Sequence, residues 1–346
     1  MRMASTLLWL MAGLFAFASA GDGALVSAGE RYRDIVFSDV VIARDIPFGA
    51  STTFDGRVEM QHLDIYEPGD DTERYRAAIV HVHGGGFVSG DKADERVADF
   101  CTLLARRGYV VASINYRLRP GKVRRGMYDQ VLDDARHDAL GAVRWMRANA
   151  AGWGVDPDLI AIEGHSAGGM TAGMVAFDSE GRLPENDCCP DASGQVAAAC
   201  IISGSWIDTS MVRPGAPPVL LIHGRRDETV PFRYAQHLEM RCRTLGIPIE
   251  TYWLGGDHLL WAHAGDIAAR AAAFFHRRVV RAPCGRPATG DLDGDQVLNR
   301  SDVARFAEAL CHASQPRRMI CAGDFDGDGA ISEADILPFV AAVLRG

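Results

Sequence analysis

A serine with a glycine two residues to either side predicts covalent catalysis. Residues 164–168 read G-H-S-A-G, so that Ser166 lies between a short apolar run, 159–162, and a stretch of small residues, 167–176. This order predicts a strand, a sharp turn and a helix, which is the setting of a nucleophile elbow. The glycines are needed because such a turn is crowded, and a Cβ atom there would clash. The pattern therefore predicts a nucleophilic Ser166 held above the edge of a sheet.

A run of glycines upstream of the serine predicts donors for an oxyanion. Residues 83–87 read H-G-G-G-F and follow a short apolar run, 77–83. Residues without a Cβ atom let the backbone approach a substrate closely, so we predict that Gly85 and Gly86 donate N–H groups. By the geometry of an elbow, the N–H of Ala167 is the third predicted donor.

An acid and a base follow the serine, in an order that completes a Ser, Asp, His triad. Asp227 comes after a predicted strand, 218–222, and a loop at the carboxyl end of a strand is where an α/β sheet places its chemistry. His258 lies between the last predicted strand and the last predicted helix. We predict Asp227 as the acid and His258 as the base. The sequence leaves open Asp208 and Glu228 as alternative acids and His263 as an alternative base, and it favours a structural role for His223 and His276.

Predicted strands alternate with predicted helices along the part of the chain that carries these residues. The strands are predicted at 58–66, 77–83, 109–114, 159–163, 197–203, 218–222 and 250–253, and the helices at 94–107, 128–150, 167–176, 234–245 and 266–280. The first strand is predicted to lie at an edge because its alternation is only partial. This α/β pattern predicts a mostly parallel central sheet with helices on both faces.

Composition and the first residues restrict where the protein acts. The net charge of −9 argues against nucleic acid or an anionic membrane as the main partner. Residues 1–20 have a positive start, an apolar run and the small residues A-S-A at 18–20, which is typical of a signal peptide. The alternative is an N-terminal anchor, but the apolar run is about half of the ~20 residues that span a bilayer. We therefore predict a secreted or periplasmic protein that does not contact a membrane after cleavage.

The cysteines fit an exported protein, because thiols pair as disulfides in oxidising compartments. The eight residues are Cys101, Cys188, Cys189, Cys200, Cys242, Cys284, Cys311 and Cys321. An even number suggests disulfides, but eight cysteines allow 105 complete pairings and the pairing stays open. Metal binding by the cluster 188–200 is not expected, since no histidine lies there at ligand spacing.

A second unit is predicted where the composition changes after residue 280. Residues 281–289 carry prolines and arginines without periodicity and are interpreted as a linker. The linker separates a predicted catalytic domain, 21–280, from a C-terminal unit, 290–346. That unit contains two acidic loops, each followed by a predicted helix, which start at Asp291 and at Asp324.

The two acidic loops have the ligand spacing of an EF-hand. Oxygen side chains fall at positions 1, 3, 5, 9 and 12, with a backbone carbonyl at position 7, as a calcium ion requires. The predicted ligands are Asp291, Asp293, Asp295, Val297, Asn299 and Asp302 in the first loop, and Asp324, Asp326, Asp328, Ala330, Ser332 and Asp335 in the second. Gly329 occupies the tight-turn position of the second loop, whereas Gln296 weakens the first. Position 12 is Asp, a shorter arm than the usual Glu. We predict structural Ca²⁺ in both loops.

Residues 31–280 resemble an α/β-hydrolase esterase of the hormone-sensitive-lipase and feruloyl-esterase-like group. The shared motifs are H-G-G-G-F at 83–87, N-Y-R-L at 115–118, G-H-S-A-G-G at 164–169, H-G-x-x-D-x-x-V-P at 223–231 and the segment around His258. The resemblance implies a carboxylic ester hydrolase that uses Ser166, Asp227 and His258 without a catalytic cofactor. The segment 21–57 is too short for the helical cap of the lipase-like branch. This favours an open site for short-chain or plant-wall-type esters.

The C-terminal unit resembles a dockerin, the tandem loop-helix module that attaches secreted plant-wall enzymes to cohesin domains. The resemblance covers 290–346 and implies a small all-α calcium-binding domain with a cohesin-like protein as partner. The residues before position 12, Arg300-Ser301 and Glu333-Ala334, depart from the paired Ser/Thr of many dockerins. A calcium-stabilised appendage without a partner is therefore the alternative.

Two other functions compete with ester hydrolysis. The same triad and oxyanion loop occur in amide hydrolases of this fold, such as arylformamidases and exopeptidases. Some α/β-hydrolase domains have lost the triad and serve in adhesion, and a calcium repeat suits that role. The intact Ser166, Asp227 and His258 argue against a non-catalytic adhesion protein.

Overall fold

A sheet of eight strands organises the residues that this computed structural model describes, which are 29–123, 127–178, 188–206, 209–282, 284, 288–294, 296–312 and 315–345. The strands are β1 (Val40–Thr52), β2 (Val58–Pro68), β3 (Arg76–Val82), β4 (Val110–Ile114), β5 (Val155–His165), β6 (Ala199–Ile202), β7 (Val219–Gly224) and β8 (Ile249–Leu254). Their order across the sheet is β1-β2-β4-β3-β5-β6-β7-β8. The pairs β1–β2 and β2–β4 are antiparallel and the other pairs are parallel, which confirms the predicted mostly parallel sheet.

Helices cover both faces of this sheet, as the alternation of elements predicts. They are α1 (Glu95–Ala105), α2 (Tyr128–Ala148), α3 (Ala167–Phe177), α4 (Phe232–Thr244) and α5 (Ala264–Phe275), which continues as a π-helical turn, His276–Val280. Apolar side chains of α2 and α3 pack on one face, and those of α1 and α5 pack on the other. Val80 of β3 lies in the first layer and Ile79 in the second, because successive side chains of a strand point to opposite faces.

The prediction that 58–66 forms an edge strand is wrong. The strand β1, which the sequence analysis does not predict, pairs with β2 and occupies the edge. The register of β1 breaks between Ala43 and Ile46, and Asp45 within that break has a φ of 56°. A bulge of this kind interrupts the alternation of apolar and polar residues on which strand prediction depends.

The strand order reverses at the centre of the sheet, where β3 lies between β4 and β5. Val82, the last residue of β3, pairs with Gly164 near the end of β5. Because parallel strands end at the same edge of a sheet, the loops that follow β3 and β5 meet in one crevice. The glycine run at 83–87 and the serine at 166 are therefore neighbours in space although they are distant along the chain.

A buried ion pair holds the segment that follows β4. Asp138 on α2 is fully buried and accepts hydrogen bonds from the backbone N–H and the Nε of Arg117, at 2.8 and 3.0 Å. The hydroxyl of Ser51 on β1 donates to the other oxygen of Asp138 at 2.5 Å. These bonds fasten the N-Y-R-L motif to β1 and to α2 and so give the motif a structural task.

The C-terminal residues form three helices around an apolar cluster of their own. The helices are α6 (Arg300–Leu310), α7 (Arg317–Gly323) and α8 (Ile336–Arg345). The rings of Phe306 and Phe339 stack at 4.0 Å in the middle of the cluster. Helix α7 is not among the predicted elements. It touches the sheet domain, since the backbone N–H of Arg317 donates to Asp156 at the start of β5.

Cysteine pairing is less complete than an even number of cysteines suggests. One disulfide joins Cys284 to Cys321 on α7, and a second joins the neighbours Cys188 and Cys189. The remaining four cysteines, which the structure leaves free, are Cys101, Cys200, Cys242 and Cys311. The first three are buried and pack as small apolar side chains, and burial raises the pKa of the Cys242 thiol to about 12.

Several predictions about export and domain limits fall outside what the structure tests. The predicted signal peptide, 1–20, lies outside the described residues, and the secreted or periplasmic location stays a prediction. The limits 21–280, 281–289 and 290–346 also stay predictions. Among the described helices, none combines the length and the apolar character that a bilayer crossing needs.

We expect Asp138→Ala to lower the free energy of unfolding by about 3–5 kcal/mol, because it leaves the buried guanidinium of Arg117 without its closest carboxylate. Urea unfolding followed by circular dichroism measures this loss. Asp129→Ala, an exposed substitution in the first turn of the same helix, is the control and should cost less than about 1 kcal/mol. Equal losses in the two variants would contradict the structural role of the ion pair.

Candidate active site

The serine of the G-H-S-A-G motif lies in the sharp turn between β5 and α3. Its φ of 58° is unfavourable for a residue with a side chain, and such strain typically costs ~1–3 kcal/mol. The turn also brings backbones very close together. A Cβ atom added at Gly168 would lie 2.0 Å from the carbonyl oxygen of Val82, and one at Gly164 would lie 2.4 Å from the backbone of Gly168. Only glycine fits both positions, so the elbow predicted around Ser166 is present.

The predicted nucleophile, base and acid form one hydrogen-bonded chain. The hydroxyl of Ser166 donates to Nε2 of His258 at 2.8 Å. Nδ1 of His258 donates to Oδ2 of Asp227 at 2.8 Å. The carboxylate is fully buried, whereas the imidazole is partly exposed toward the crevice. This geometry lets the imidazole take a proton from the hydroxyl while the carboxylate orients the ring.

The environment of Asp227 keeps its carboxyl group ionised. Oδ1 accepts the backbone N–H groups of Thr229 and Val230 at 2.9 and 2.8 Å. Burial alone would raise the pKa of Asp227, but hydrogen bonds from His223, His258 and Val230 outweigh it and keep the pKa well below its usual range. An ionised acid is what a charged imidazole needs beside it during the reaction.

Among the described residues, the alternative acid Glu228 and the alternative base His263 do not join this chain of contacts. Glu228 and His263 are exposed, and the described hydrogen bonds of His258 do not involve either of them. Asp208 lies outside the described residues. His223 and His276 are buried, and their predicted structural role stays a prediction.

The loop that follows β3 lies directly beside the serine. A Cβ atom added at Gly84 would come 3.4 Å from the Cβ atom of Ser166. Gly85 has a φ of 121°, and a Cβ atom there would lie 1.8 Å from the carbonyl oxygen of Ser89. Gly86 has a φ of 63° and faces open space, and Ala167 is the first residue of α3. Gly85 and Gly86, two of the predicted oxyanion donors, therefore directly follow the glycine that lies against Ser166, and Ala167, the third, directly follows Ser166 itself.

Residues after β4 contact the glycine loop and hold it in place. These contacts are not among the predictions made from the sequence. The ring of Tyr116 stacks on His83 at 4.5 Å, and its hydroxyl donates to the carbonyl oxygen of His83 at 3.1 Å. The backbone N–H of Arg119 donates to the carbonyl oxygen of Phe87 at 2.8 Å. The N-Y-R-L motif at 115–118 could have indicated these contacts, because it is one of the motifs shared with the esterase group.

A second histidine, next to the nucleophile, positions the loop that carries His258. Nε2 of His165 donates to the backbone carbonyl oxygen of His258 at 3.1 Å, and the ring packs against Trp261 at 4.8 Å. Burial lowers the pKa of His165 to about 4, so the ring is neutral near pH 7. The sequence analysis treats this residue only as the variable position of G-x-S-x-G.

An open groove of about 500 Å³ begins at the glycine loop and offers space for part of a substrate. Its lining residues are Gly86, Val88, Gly121, Lys122, Val123 and Tyr128. Phe87, at the end of the glycine loop, is buried, and parts of the segments 178–199 and 205–217 lie outside the described residues.

The two acidic loops of the C-terminal unit have the same local structure. Asp291 and Asp324, at position 1, each accept the backbone N–H groups of positions 4 and 6 at 2.7 and 2.9 Å. Asp302 and Asp335, at position 12, are fully buried and accept the N–H groups of positions 2 and 9. The sequence repeat is therefore a structural repeat.

The carboxylates of these loops are grouped as a hard cation would require. Oxygen atoms of Asp291, Asp293 and Asp302 lie within 4.8 Å of one another, and so do those of Asp324, Asp326 and Asp328. Asp335 is not part of the second group, and Asp295 lies outside the described residues. The other predicted ligands, Val297, Asn299, Ala330 and Ser332, lie in the same two loops. All these donors are oxygen atoms, which fits Ca²⁺.

Position 6 distinguishes the two loops. Gln296 has a φ of 67° and Gly329 a φ of 95°, so the same left-handed turn occurs in both. A glutamine pays a conformational cost there that a glycine does not. The geometry gives a physical reason for the expectation that the first loop binds a cation less tightly.

The strand order, the elbow and the glycine loop together define an α/β-hydrolase fold. Residues 63–206 match the family model described as BD-FAE. Among curated proteins, the chain is similar to the probable carboxylic ester hydrolase LipM of Mycobacterium tuberculosis, with 27% identity over 63% of this chain, and to the esterase LipC of the same organism, with 28% identity over 63%. The chain spans 55% and 62% of the lengths of these two relatives.

Solved structures agree with this class. A thermophilic esterase of the planctomycete Thermogutta terrifontis, Est2 with butyrate bound, is 25% identical and superposes with a TM-score of 0.55, covering 67% of this chain and 94% of its own. A truncated carbohydrate esterase from gut microbiota has a TM-score of 0.57 at 19% identity, covers 71% of this chain and 98% of its own, and shares the fold. The comparisons support an esterase of the α/β-hydrolase type.

We expect stability to fall as the pH drops from about 6.5 toward 4, because unfolded His165 binds a proton that the folded ring excludes. The loss attributable to this residue is at most about 3 kcal/mol, and it levels off below the folded pKa. Urea unfolding at pH 7 and pH 4.5 measures it. His165→Gln keeps a donor for the carbonyl of His258 but cannot titrate, so its pH dependence in this window should be weaker. Identical pH dependence in both proteins would contradict the assignment.

Proposed function

We propose that this chain is a serine carboxylic ester hydrolase that works through an acyl-enzyme. The single observation that carries the proposal is the continuous chain of hydrogen bonds from Ser166 through His258 to Asp227, with the glycine loop beside the hydroxyl. Acyl transfer needs a nucleophile, a base, an orienting acid and oxyanion donors, and the proposal assigns these roles to Ser166, His258, Asp227 and the glycine loop. The esterase relatives support the same reaction.

The reaction begins with attack on the ester carbonyl. Oγ of Ser166 forms a bond to the carbonyl carbon as its proton moves to Nε2 of His258, and Asp227 stabilises the charged imidazole. The backbone N–H groups of Gly85, Gly86 and Ala167 bind the oxygen that becomes negative. When the carbon–oxygen bond to the alcohol breaks, the alcohol leaves with the proton from Nε2.

Hydrolysis of the acyl-enzyme repeats these steps with water. A water molecule attacks the acyl carbon while Nε2 of His258 accepts its proton, and the same N–H groups bind the oxyanion again. The bond to Oγ of Ser166 then breaks, the carboxylic acid leaves, and the proton returns to the hydroxyl. Each proton that His258 takes is returned, so the enzyme is regenerated.

We infer short-chain or plant-wall-type esters as substrates and a secreted or periplasmic location. The open groove beside Gly86 supports an accessible site, and one esterase neighbour is described with butyrate bound. The signal-peptide pattern of residues 1–20 supports export.

We expect the full chain to hydrolyse p-nitrophenyl esters from acetate to decanoate, or acetylated xylan or methyl ferulate, in a serine-dependent manner. Ser166→Ala should lower kcat by roughly 10⁴-fold or more, because no other group can form the acyl-enzyme. Initial rates across both ester series measure the activity, and the profile distinguishes a general short-chain esterase from a plant-wall enzyme.

Thr229→Ala serves as the control, since its backbone N–H and not its side chain contacts Asp227. Its kcat should stay within about threefold of the unchanged protein, in line with a surface substitution. A folded protein that is silent on every ester would overturn the proposal. Serine-dependent activity on formamides or peptides instead would identify an amide hydrolase of the same fold.

We also propose that each acidic loop of the C-terminal unit binds one structural Ca²⁺. The grouping of Asp291, Asp293 and Asp302 and that of Asp324, Asp326 and Asp328 support it, as do the hydrogen bonds that positions 1 and 12 accept in both loops. Bound cations would relieve the repulsion among these carboxylates and stabilise the cluster around Phe306. A cohesin-like protein is the partner that the dockerin resemblance suggests for this unit.

We expect Ca²⁺ to raise the unfolding temperature of the full chain and a chelator to reverse this, because a ligand at 100 times its Kd adds about 2.7 kcal/mol. Isothermal titration calorimetry should show two sites, the weaker one lost in Asp291→Ala and the tighter one in Asp324→Ala. Glu333→Gln, an exposed acid outside the ligand set, is the control and should keep both sites. Absence of heat and of thermal stabilisation would refute the calcium proposal.

A further inference from the structure

The carboxylate of Asp227 has a second imidazole neighbour besides His258. Nε2 of His223 lies 3.1 Å from Oδ2, the same oxygen that accepts Nδ1 of His258 at 2.8 Å. His223 is four residues before Asp227, in the H-G-x-x-D part of the motif, and stands near the end of β7. Two histidines therefore converge on one carboxylate oxygen, and the proposed mechanism uses only one of them.

A backbone contact determines which nitrogen of His223 carries its proton. Nε2 lies 2.8 Å from the carbonyl oxygen of Val230, which can only accept a hydrogen bond, so the proton is on Nε2. That N–H is directed at the carbonyl of Val230, and Oδ2 of Asp227 lies 3.1 Å from the same nitrogen. Nδ1 of His223 is buried and has no hydrogen-bond partner in the described part of the chain.

In the described part of the chain, few other titrating groups contact the two histidines. The ring of Phe232 packs against His223, and the guanidinium of Arg225 lies over the ring of Phe232, 5.7 Å from its centroid. Beside His258 lie the Ser166 hydroxyl and the neutral ring of His165. Asp227 is thus the carboxylate that both imidazoles face, and its Oδ1 is already used by two backbone N–H groups.

We propose that His223 is a positioning residue for the reaction: its Nε2–H is the fourth donor to Asp227 and holds Oδ2 in line with Nδ1 of His258. This inference rests on the proposed ester hydrolysis and adds a residue to it. Two backbone N–H groups already hold Oδ1, and a second imidazole beside Oδ2 limits the remaining rotation of the carboxylate. The same donor withdraws electron density from Oδ2, so the carboxylate stabilises the charged imidazole of His258 less strongly.

The second effect has a direction that experiment can detect. Without the donor, Asp227 stabilises the protonated form of His258 more, and the base titrates at a higher pH. The acid limb of the kcat/KM profile should therefore move upward by ~0.5–1 pH unit. A purely structural histidine would change the amount of folded protein but not the position of this limb.

The test compares three variants of the full chain with p-nitrophenyl butyrate as substrate, each normalised by active-site titration with an organophosphate. His223→Leu removes the donor at similar volume and should lower kcat about tenfold while KM stays within about twofold. His223→Gln keeps an N–H at a comparable reach and should recover most of kcat and the original acid limb. His223→Asn, whose amide is too short to reach, should behave like His223→Leu and replaces it if the leucine variant does not fold.

A second readout does not depend on turnover. The Nδ1 proton of His258, shared with Asp227, should give a low-field proton NMR signal that shifts in His223→Leu and returns in His223→Gln. Unchanged kcat per titrated site, an unchanged acid limb and an unshifted signal in His223→Leu would overturn the proposal, and so would a glutamine variant that matches the leucine variant. If the unchanged protein hydrolyses no ester, the proposed function fails, and the NMR signal alone decides the role of His223.

Discussion

The close approach of two backbones at the centre of the sheet is the constraint on which the site depends. At Gly168 the first turn of α3 passes so near the end of β3 that a single methyl group would overlap the carbonyl oxygen of Val82. This contact brings the predicted nucleophile of one loop next to the glycine run of another. The left-handed backbone of Ser166 persists only because the packing around it leaves no alternative. The same close packing therefore accounts for the positive φ of Ser166 and for the short distance between the loops that follow β3 and β5.

A second constraint is that buried charges must be compensated. The fold does this by surrounding the buried carboxylates with hydrogen-bond donors. Asp138 is compensated by Arg117 and Ser51 beneath the glycine loop, and Asp227 by backbone N–H groups and imidazoles at the reacting end. An ion without such partners would cost several kcal/mol in this environment. The same rule that keeps the core stable therefore also keeps the acid ionised where the proposed chemistry needs it.

Much of this arrangement could be predicted from short segments, because their physical signals are local. The elbow, the glycine loop and the two acidic loops each depend on residues within about a dozen positions of one another. The parallel sheet followed from alternating apolar runs, and the structure confirms it. The edge strand β1 was missed because its bulge disrupts the period, and helix α7 because it is short and depends on the disulfide and on Asp156. The disulfide pairing could not be predicted either, because it depends on which cysteines the tertiary structure brings together and which it buries apart.

The sequence by itself determined the kinds of residue, their order and the local turns that present them: Ser166 in its elbow, glycines where a Cβ atom would clash, and oxygen-bearing side chains at EF-hand spacing. Only the tertiary structure decided which acid and which base meet the serine, since Glu228 and His263 have the same chemistry but lie exposed. It also decided that His223 and His258 share one oxygen of Asp227. The physical reason is that these contacts join loops at the ends of different strands, whose separation is set by sheet order and packing and not by any local pattern.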